Sequence, residues 1–221
     1  GLYANRGREL VKIFRRVKKL GVTTSLDMSL PDATSESGRV RWRELLEELL
    51  PYVDIAPFSA EETMFMLDPS RFGELKRKAG TGDPLHAYTS EDLVTMGRKL
   101  IRLGSRIVPL KCGCRGMLLF TATEARVVGI GAAKPGKPGE WSNRCLWEEA
   151  FAVEHVASAT GSGDSSIAGF LAAFLRGCGP EQSVKTACCT GGQNVKVLDA
   201  ISGIHTWEET QAMIPGWPKM R

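Results

Sequence analysis

Ala159-Thr160-Gly161-Ser162-Gly163-Asp164-Ser165-Ser166-Ile167-Ala168-Gly169-Phe170 is the stretch on which the reading of this chain turns. It follows an apolar, strand-like piece at 151–156 and opens a helix predicted over 164–176, with Ile167, Phe170, Leu171, Phe174 and Leu175 facing inward. A glycine-rich turn that feeds a helix leaves several backbone N–H groups without helical partners. They point at one spot and share the positive end of the helix dipole, so the spot binds an anion without any charged side chain. Gly161 and Gly163 let the backbone take up positive φ and approach a ligand closely. Asp164 then stands beside the bound anion. A carboxylate there would repel phosphates, so a loop that only held them would not use it. It suits a site in which it takes a proton from a hydroxyl attacking a terminal phosphate, while the amides stabilise charge on the transferring group. The alternative is that Asp164 only caps the helix and the glycines only turn the chain.

Outward from this stretch, helical and strand-like segments alternate. Residues 7–20 read as an amphipathic helix closed by Gly21, 22–26 as a buried strand, 42–50 as a helix and 53–56 as a short strand. Ser59 is placed to cap a helix running to residue 67, with Glu62 completing a capping box. Ser90 with Glu91 starts another that runs to 103. Strands are predicted at 107–110, 116–120 and 125–128, late helices at 164–176 and 181–198, and a final short helix after Thr206. Segments 68–90 and 129–147 read as long loops, lids or insertions. The alternation predicts one α/β domain over 1–221, a three-layer αβα arrangement with a mainly parallel, Rossmann-like sheet. Ligands in such sheets bind beyond the carboxyl ends of the strands.

Composition agrees with a soluble globular domain: 221 residues, 43% hydrophobic and 24% charged. Every apolar run is cut by a charge, Gly or Pro before it reaches membrane-spanning length. The net charge of +4 is mild, and the basic residues of 8–19 alternate with Leu10, Ile13, Phe14 and Val17 at helical spacing. They read as a solvated helix face rather than a nucleic-acid patch. The six cysteines form no CxxC pair, and no histidine stands at zinc-ligand spacing from them. Buried free thiols in a reducing, cytoplasmic compartment are expected. Gly129-x-Gly131 fails the dinucleotide fingerprint, and no GxxxxGK[ST] occurs.

Thr160-Gly161-Ser162-Gly163-Asp164, followed by Ser-Ser-Ile-Ala-Gly-Phe, resembles the C-terminal signature of the ribokinase/PfkB carbohydrate kinases, usually written D-T-T-G-A-G-D. In that family the G-A-G-D segment forms the anion hole and its Asp is the catalytic base. The resemblance implies the hole for Gly161, Ser162 and Gly163, the base role for Asp164, and Thr160 among the nucleotide-binding residues. Asp54-Ile-Ala-Pro-Phe-Ser-Ala-Glu-Glu62 is similar to the family's D-x-x-x-P-N-x-x-E stretch, which implies that Glu62 handles magnesium through water. Here Ser59 replaces the Asn and the Pro is displaced by one. The other reading of Glu62 is the capping box alone. Lys111-Cys-Gly113-Cys-Arg-Gly116 resembles the nucleotide-contacting T-x-G-x-x-G turn, with Lys in the Thr place. Thr186-Ala-Cys-Cys-Thr-Gly-Gly-Gln-Asn194 resembles the small-residue helix against the adenine, which implies Gly191, Gly192 and Asn194. Such residues equally serve close helix packing. Ser158 replaces the signature's first Asp, linked to monovalent cations, which leaves potassium activation open. Asp27 stands where the family has D-x-N and receives no role.

The resemblance implies a ribokinase-like fold, ATP and Mg²⁺ as cofactors, a sugar-like small molecule as acceptor, and a homodimer as one form of assembly. Nothing in 1–50 resembles the family's earlier segment, with its G-G-x-x-N-type motif and small β-lid. The chain therefore reads as a fragment holding the later two-thirds, lid missing. A non-catalytic nucleotide- or metabolite-binding module of the same fold is the alternative.

Overall fold

A computed structural model describes residues 5–220, the Arg6 side chain excepted. Helices α1 (Arg8–Lys19), α2 (Trp42–Leu49), α3 (Ala60–Leu67), α4 (Pro69–Ala79) and α5 (Ser90–Leu103) precede strands β1 (Ile107–Lys111) and β2 (Met117–Thr121). A short α6 (Glu124–Val128) and β3 (Cys145–Glu148) follow, then α7 (Ser162–Leu175), α8 (Pro180–Asn194) and α9 (Trp207–Met213).

The three strands pair in the order β1-β2-β3, and both pairings are antiparallel. This corrects the mainly parallel sheet expected above. The reason is short-range: only Cys112 to Gly116 separate β1 from β2, and a parallel return needs a crossover of a dozen residues or more. Parallel pairing survives as isolated bridges, Ser25 to Ile55, Ile55 to Ile107 and Ser59 to Lys111. The predicted strands at 22–26 and 53–56 are thus bridged segments only, the second running beside β1 and the first beside the second. Polar side chains add to the backbone bonds between them. The Asp54 amide, for example, donates to the Thr24 hydroxyl at 3.0 Å.

Strand alternation builds the layers. Val108, Leu110, Leu118 and Phe120 join a core with α1 to α5. Ile107, Met117 and Leu119 point the other way, into a core with Phe170 and Phe174 of α7 and Val184 and Ala187 of α8. Both faces are covered, which is why these strands read as unbroken apolar runs.

Five local expectations change. Residues 125–128 are helical, since a run that short carries no usable period. The supposed loop 68–90 contains α4, capped by Asp68 accepting from the Arg71 amide at 3.0 Å with Pro69 at the first helical position. The N-cap of α5 is Thr89, in a capping box with Asp92, not Ser90. The loop 129–147 holds β3 and is pinned by Trp141, which is 1% exposed and stands edge-on to Phe170 and Phe174. Residues 151–156 make one antiparallel bridge, Phe151 to Lys219, instead of a strand.

Asp54 joins the layers. Its fully buried carboxylate accepts from Lys18 Nζ at 2.5 and 2.7 Å, and from the Thr24 amide and hydroxyl at 3.0 and 3.1 Å. Arg106 Nε stands 3.4 Å away. Asp54→Ala would leave two largely buried cations and an amide without their acceptor. We expect it to lower unfolding free energy by about 3 kcal/mol, read as an earlier midpoint in chemical denaturation. A shift below about 0.5 kcal/mol, the size of an ordinary surface substitution, would remove Asp54 from this role.

Candidate functional site

The segments 24–26 and 54–56 run parallel to β1, so their carboxyl ends open on one edge of the sheet. Asp27 follows the first, Ser59 and Glu62 follow the second, and Lys111 ends β1. The Lys111 ammonium lies between the two oxygens of Asp27, at 2.9 and 2.8 Å. Its backbone bridges to Ser59. Ser59 and Glu62 form the expected capping box: the Ser59 amide donates to Glu62 Oε2 at 2.7 Å, and the Glu62 amide to Ser59 Oγ at 3.1 Å.

Helix α7 begins at the same edge. Lys111 Nζ is 3.6 Å from the point where a Gly163 Cβ would stand. Gly161 precedes the helix at φ 78° and packs so closely on Ala200 that an added Cβ would come within 2.6 Å of the Ala200 Cβ. Both conditions call for glycine there. The Ser162 amide turns back to the Ala159 carbonyl at 3.2 Å. No acceptor among the described residues is bonded to the amides of Gly163 or Asp164. The helix thus offers two unpaired donors beside an ammonium.

A cavity of about 330 Å³ opens from this edge. Of the residues singled out in the sequence, Lys111, Gly113, Gly116, Ser162, Gly163 and Gly191 line it. Its apolar wall comes from Met117, Phe151, Val153, Val156 and Val195, which sequence reading missed because their periodicity marked them only as core. Asp164 is exposed and lines the neighbouring hollow, with Ser165, Ala168 and Ala200. Thr160 is exposed and its amide donates to Ser158 Oγ at 3.1 Å. Asn194 is fully buried, and its Nδ2 donates to the Ala200 carbonyl at 2.7 Å. Neither lines the cavity. Gly191 does, and it also serves helix packing: a Cβ there would come within 2.3 Å of Ser166 Oγ.

Electrostatics at the edge follow from burial. Burial pushes the Asp27 carboxyl up, Lys111 pulls it down by less, and the charge of Asp164 adds to the rise. Burial likewise raises Glu62, against its hydrogen bond from Ser59 and the nearby Lys111. Asp27 is the residue whose place in the site sequence reading left unassigned. The signal was its position just after a strand-like segment.

Residues 4–207 match the family model described as pfkB family carbohydrate kinase. The chain belongs to the pfkB family. No curated protein is matched by its sequence. Among solved structures, it resembles Arabidopsis thaliana ribokinase complexed with ribose and ATP, at TM-score 0.60 and 21% identity over 92% of this chain and 51% of that one. It also resembles Salmonella enterica aminoimidazole riboside kinase complexed with aminoimidazole riboside and an ATP analog, at TM-score 0.57 and 18% identity over 96% and 59%. A third neighbour, an Escherichia coli protein described as a ribokinase II in complex with ATP and Mg²⁺, gives TM-score 0.61 and 17% identity over 94% and 53%. These likenesses establish a ribokinase-like fold. The chain spans between half and three-fifths of the length of each of these structures.

In this pfkB-family site the two raised carboxyls set a pH dependence. Unfolded, Glu62 titrates in the ordinary range; folded, it keeps its proton to higher pH. Its contribution to folding is therefore complete in acid and is lost as pH rises through the folded value. Glu62→Gln keeps a capping-box partner and carries no charge to desolvate. Thermal melts should show variant and wild type alike near about pH 4, with the variant gaining relative stability toward pH 7. A variant that loses stability relative to wild type on going from acid to neutral pH would contradict the assignment.

Proposed function

We propose that this chain carries the nucleotide-binding and phosphoryl-transfer part of an ATP-dependent kinase acting on a hydroxyl of a sugar or sugar-like molecule. The observation that carries the reading is the convergence of the Lys111 ammonium with Gly163, whose amide is unpaired among the described residues, on the wall of a largely apolar cavity. An apolar hollow with a few convergent polar groups at one end is the shape that takes a flat base at one end and phosphates at the other. Family membership and the nucleotides held by the structural neighbours support it.

On this reading Val153, Val156, Gly191 and Val195 would hold the adenine side of ATP, and Lys111, Gly113 and Gly163 its phosphates. Glu62 would hold Mg²⁺ through water. The donor set fits a hard cation: Asp27, Glu62 and Asp164 offer only oxygens, and three carboxylates around one ammonium leave surplus negative charge. When bound, Mg²⁺ supplies charge neutralisation on the phosphates. The chain's own residues do the rest. Asp164 accepts the proton of the acceptor hydroxyl, and the amides and Lys111 stabilise charge on the transferring group.

A second reading, a non-catalytic nucleotide-binding module, draws on Asp164 lying beside the main cavity and not among its lining residues. One pair of measurements on the full-length protein separates the two. Asp164→Asn should lower turnover by about three orders of magnitude while ATP affinity stays within about twofold of wild type. Lys111→Met should weaken ATP binding by roughly tenfold or more, as loss of a charged hydrogen-bond donor does. Nucleotide binding without turnover of any sugar or nucleoside by the wild type supports the module. Unchanged turnover in Asp164→Asn removes the base from its role.

A further inference from the structure

Three unlike metal-ligand types meet at the rim of the main cavity. Asp83 caps a 3-10 turn, Pro84–Ala87, whose sequence continues through Leu85 to His86. Residues three apart on such a turn eclipse one another, so Asp83 and His86 share a face. Cys114 arrives from the other side, on the single turn Gly113–Arg115 between β1 and β2. A carboxylate oxygen, an imidazole nitrogen and the thiol sulfur lie within 4.8 Å of one another. Linear spacing had set His86 apart from every cysteine, and only the fold brings them together.

Other contacts hold the two turns in place. Arg115 Nη1 donates to the carbonyls of Leu85 and Tyr88 at 3.2 and 2.8 Å. Asp83 Oδ1 accepts from the Leu85 amide at 2.9 Å, which fixes the carboxylate and leaves Oδ2 for another partner. Gly113, at φ 53°, lets Leu85 approach so closely that an added Cβ would stand 2.7 Å from its Cδ1. The ligands are therefore set on a rigid pair of turns. Burial and then the Asp83 charge push the Cys114 thiol up. A bound cation inverts that balance, because a coordinating thiol is deprotonated outright.

One sulfur, one nitrogen and one oxygen make the donor set of zinc and its neighbours, whereas Mg²⁺ and Ca²⁺ take oxygen alone. Asp83 and His86 are exposed and Cys114 half-buried, so an ion can reach them from solvent. Three protein ligands leave a fourth position open. Asp83 and Cys114 line the cavity together with Gly113 and Gly116 of the same connection.

We propose that Asp83, His86 and Cys114 form a binding site for a zinc-class divalent cation that clamps the Pro84–Ala87 turn to the β1–β2 connection at the cavity rim. The site does not depend on the kinase reading. Metal-stripped protein titrated with Co²⁺ should develop a near-ultraviolet thiolate-to-cobalt band that saturates at one equivalent. Cys114→Ser should abolish the band, and His86→Ala should weaken binding by at least about tenfold, the scale on which even outer-shell changes act. Cys145→Ser, at an exposed cysteine elsewhere, should leave it unchanged. Zn²⁺ should displace the cobalt and excess Mg²⁺ should not. Absence of the band in wild type, its survival in Cys114→Ser, or its removal by Mg²⁺ would each overturn the proposal. Because the wild-type titration reads binding directly, a variant that fails to fold does not protect the idea.

Discussion

The buried carboxylate of Asp54 is the point from which the site is laid out. An unexposed charge costs several kcal/mol to desolvate, and only a dense set of donors offsets that. Lys18 of α1, the backbone and hydroxyl of Thr24, and Arg106 supply the set. Satisfying it has a geometric result: α1, the segment at 24–26 and the start of β1 must meet at one place. From there three extended segments leave in one direction, and a few residues on, Asp27, Ser59 with Glu62, and Lys111 arrive together at the sheet edge.

Close approach of α7 and α8 decides the other wall. A Cβ on Gly169 would fall 2.1 Å from Thr190 Oγ1, and one on Gly191 would fall 2.3 Å from Ser166 Oγ. Small residues on both helices let their backbones pack tightly, and the cavity opens where that packing ends. The same stripe therefore does two things that sequence reading held as alternatives. Gly191 both packs and lines, while Asn194 is taken wholly into the interior by its bond to the Ala200 carbonyl.

Much of this was legible in the chain, and the rest was not for identifiable reasons. The capping box of Ser59 and Glu62 is written locally, in four residues, and the structure has it; the glycine turn likewise opens α7, which begins at Ser162, two residues before the predicted start. The antiparallel hairpin was legible too, from the five-residue link after Lys111, but the α/β alternation around it argued for a crossover. Asp68-Pro69 announced α4, although 68–90 was read as a long loop. Asp27, by contrast, could not have been given a partner from its neighbours, since Lys111 is 84 positions away. The same holds for His86 and Cys114, which no linear spacing relates.

The sequence by itself determined most of the helices, β1 and β2 with their two-faced burial, the glycine turn before α7 and the family, because each rests on short-range rules: period, capping chemistry and backbone freedom at particular residues. Only the tertiary structure decided which charges meet, that Lys111 pairs with Asp27 beside α7, that Asp164 stands outside the main cavity, and that Asp83, His86 and Cys114 converge. Those depend on packing between segments far apart in the chain, where the energy of burying Asp54 and the closeness of α7 to α8 set positions that no local pattern encodes.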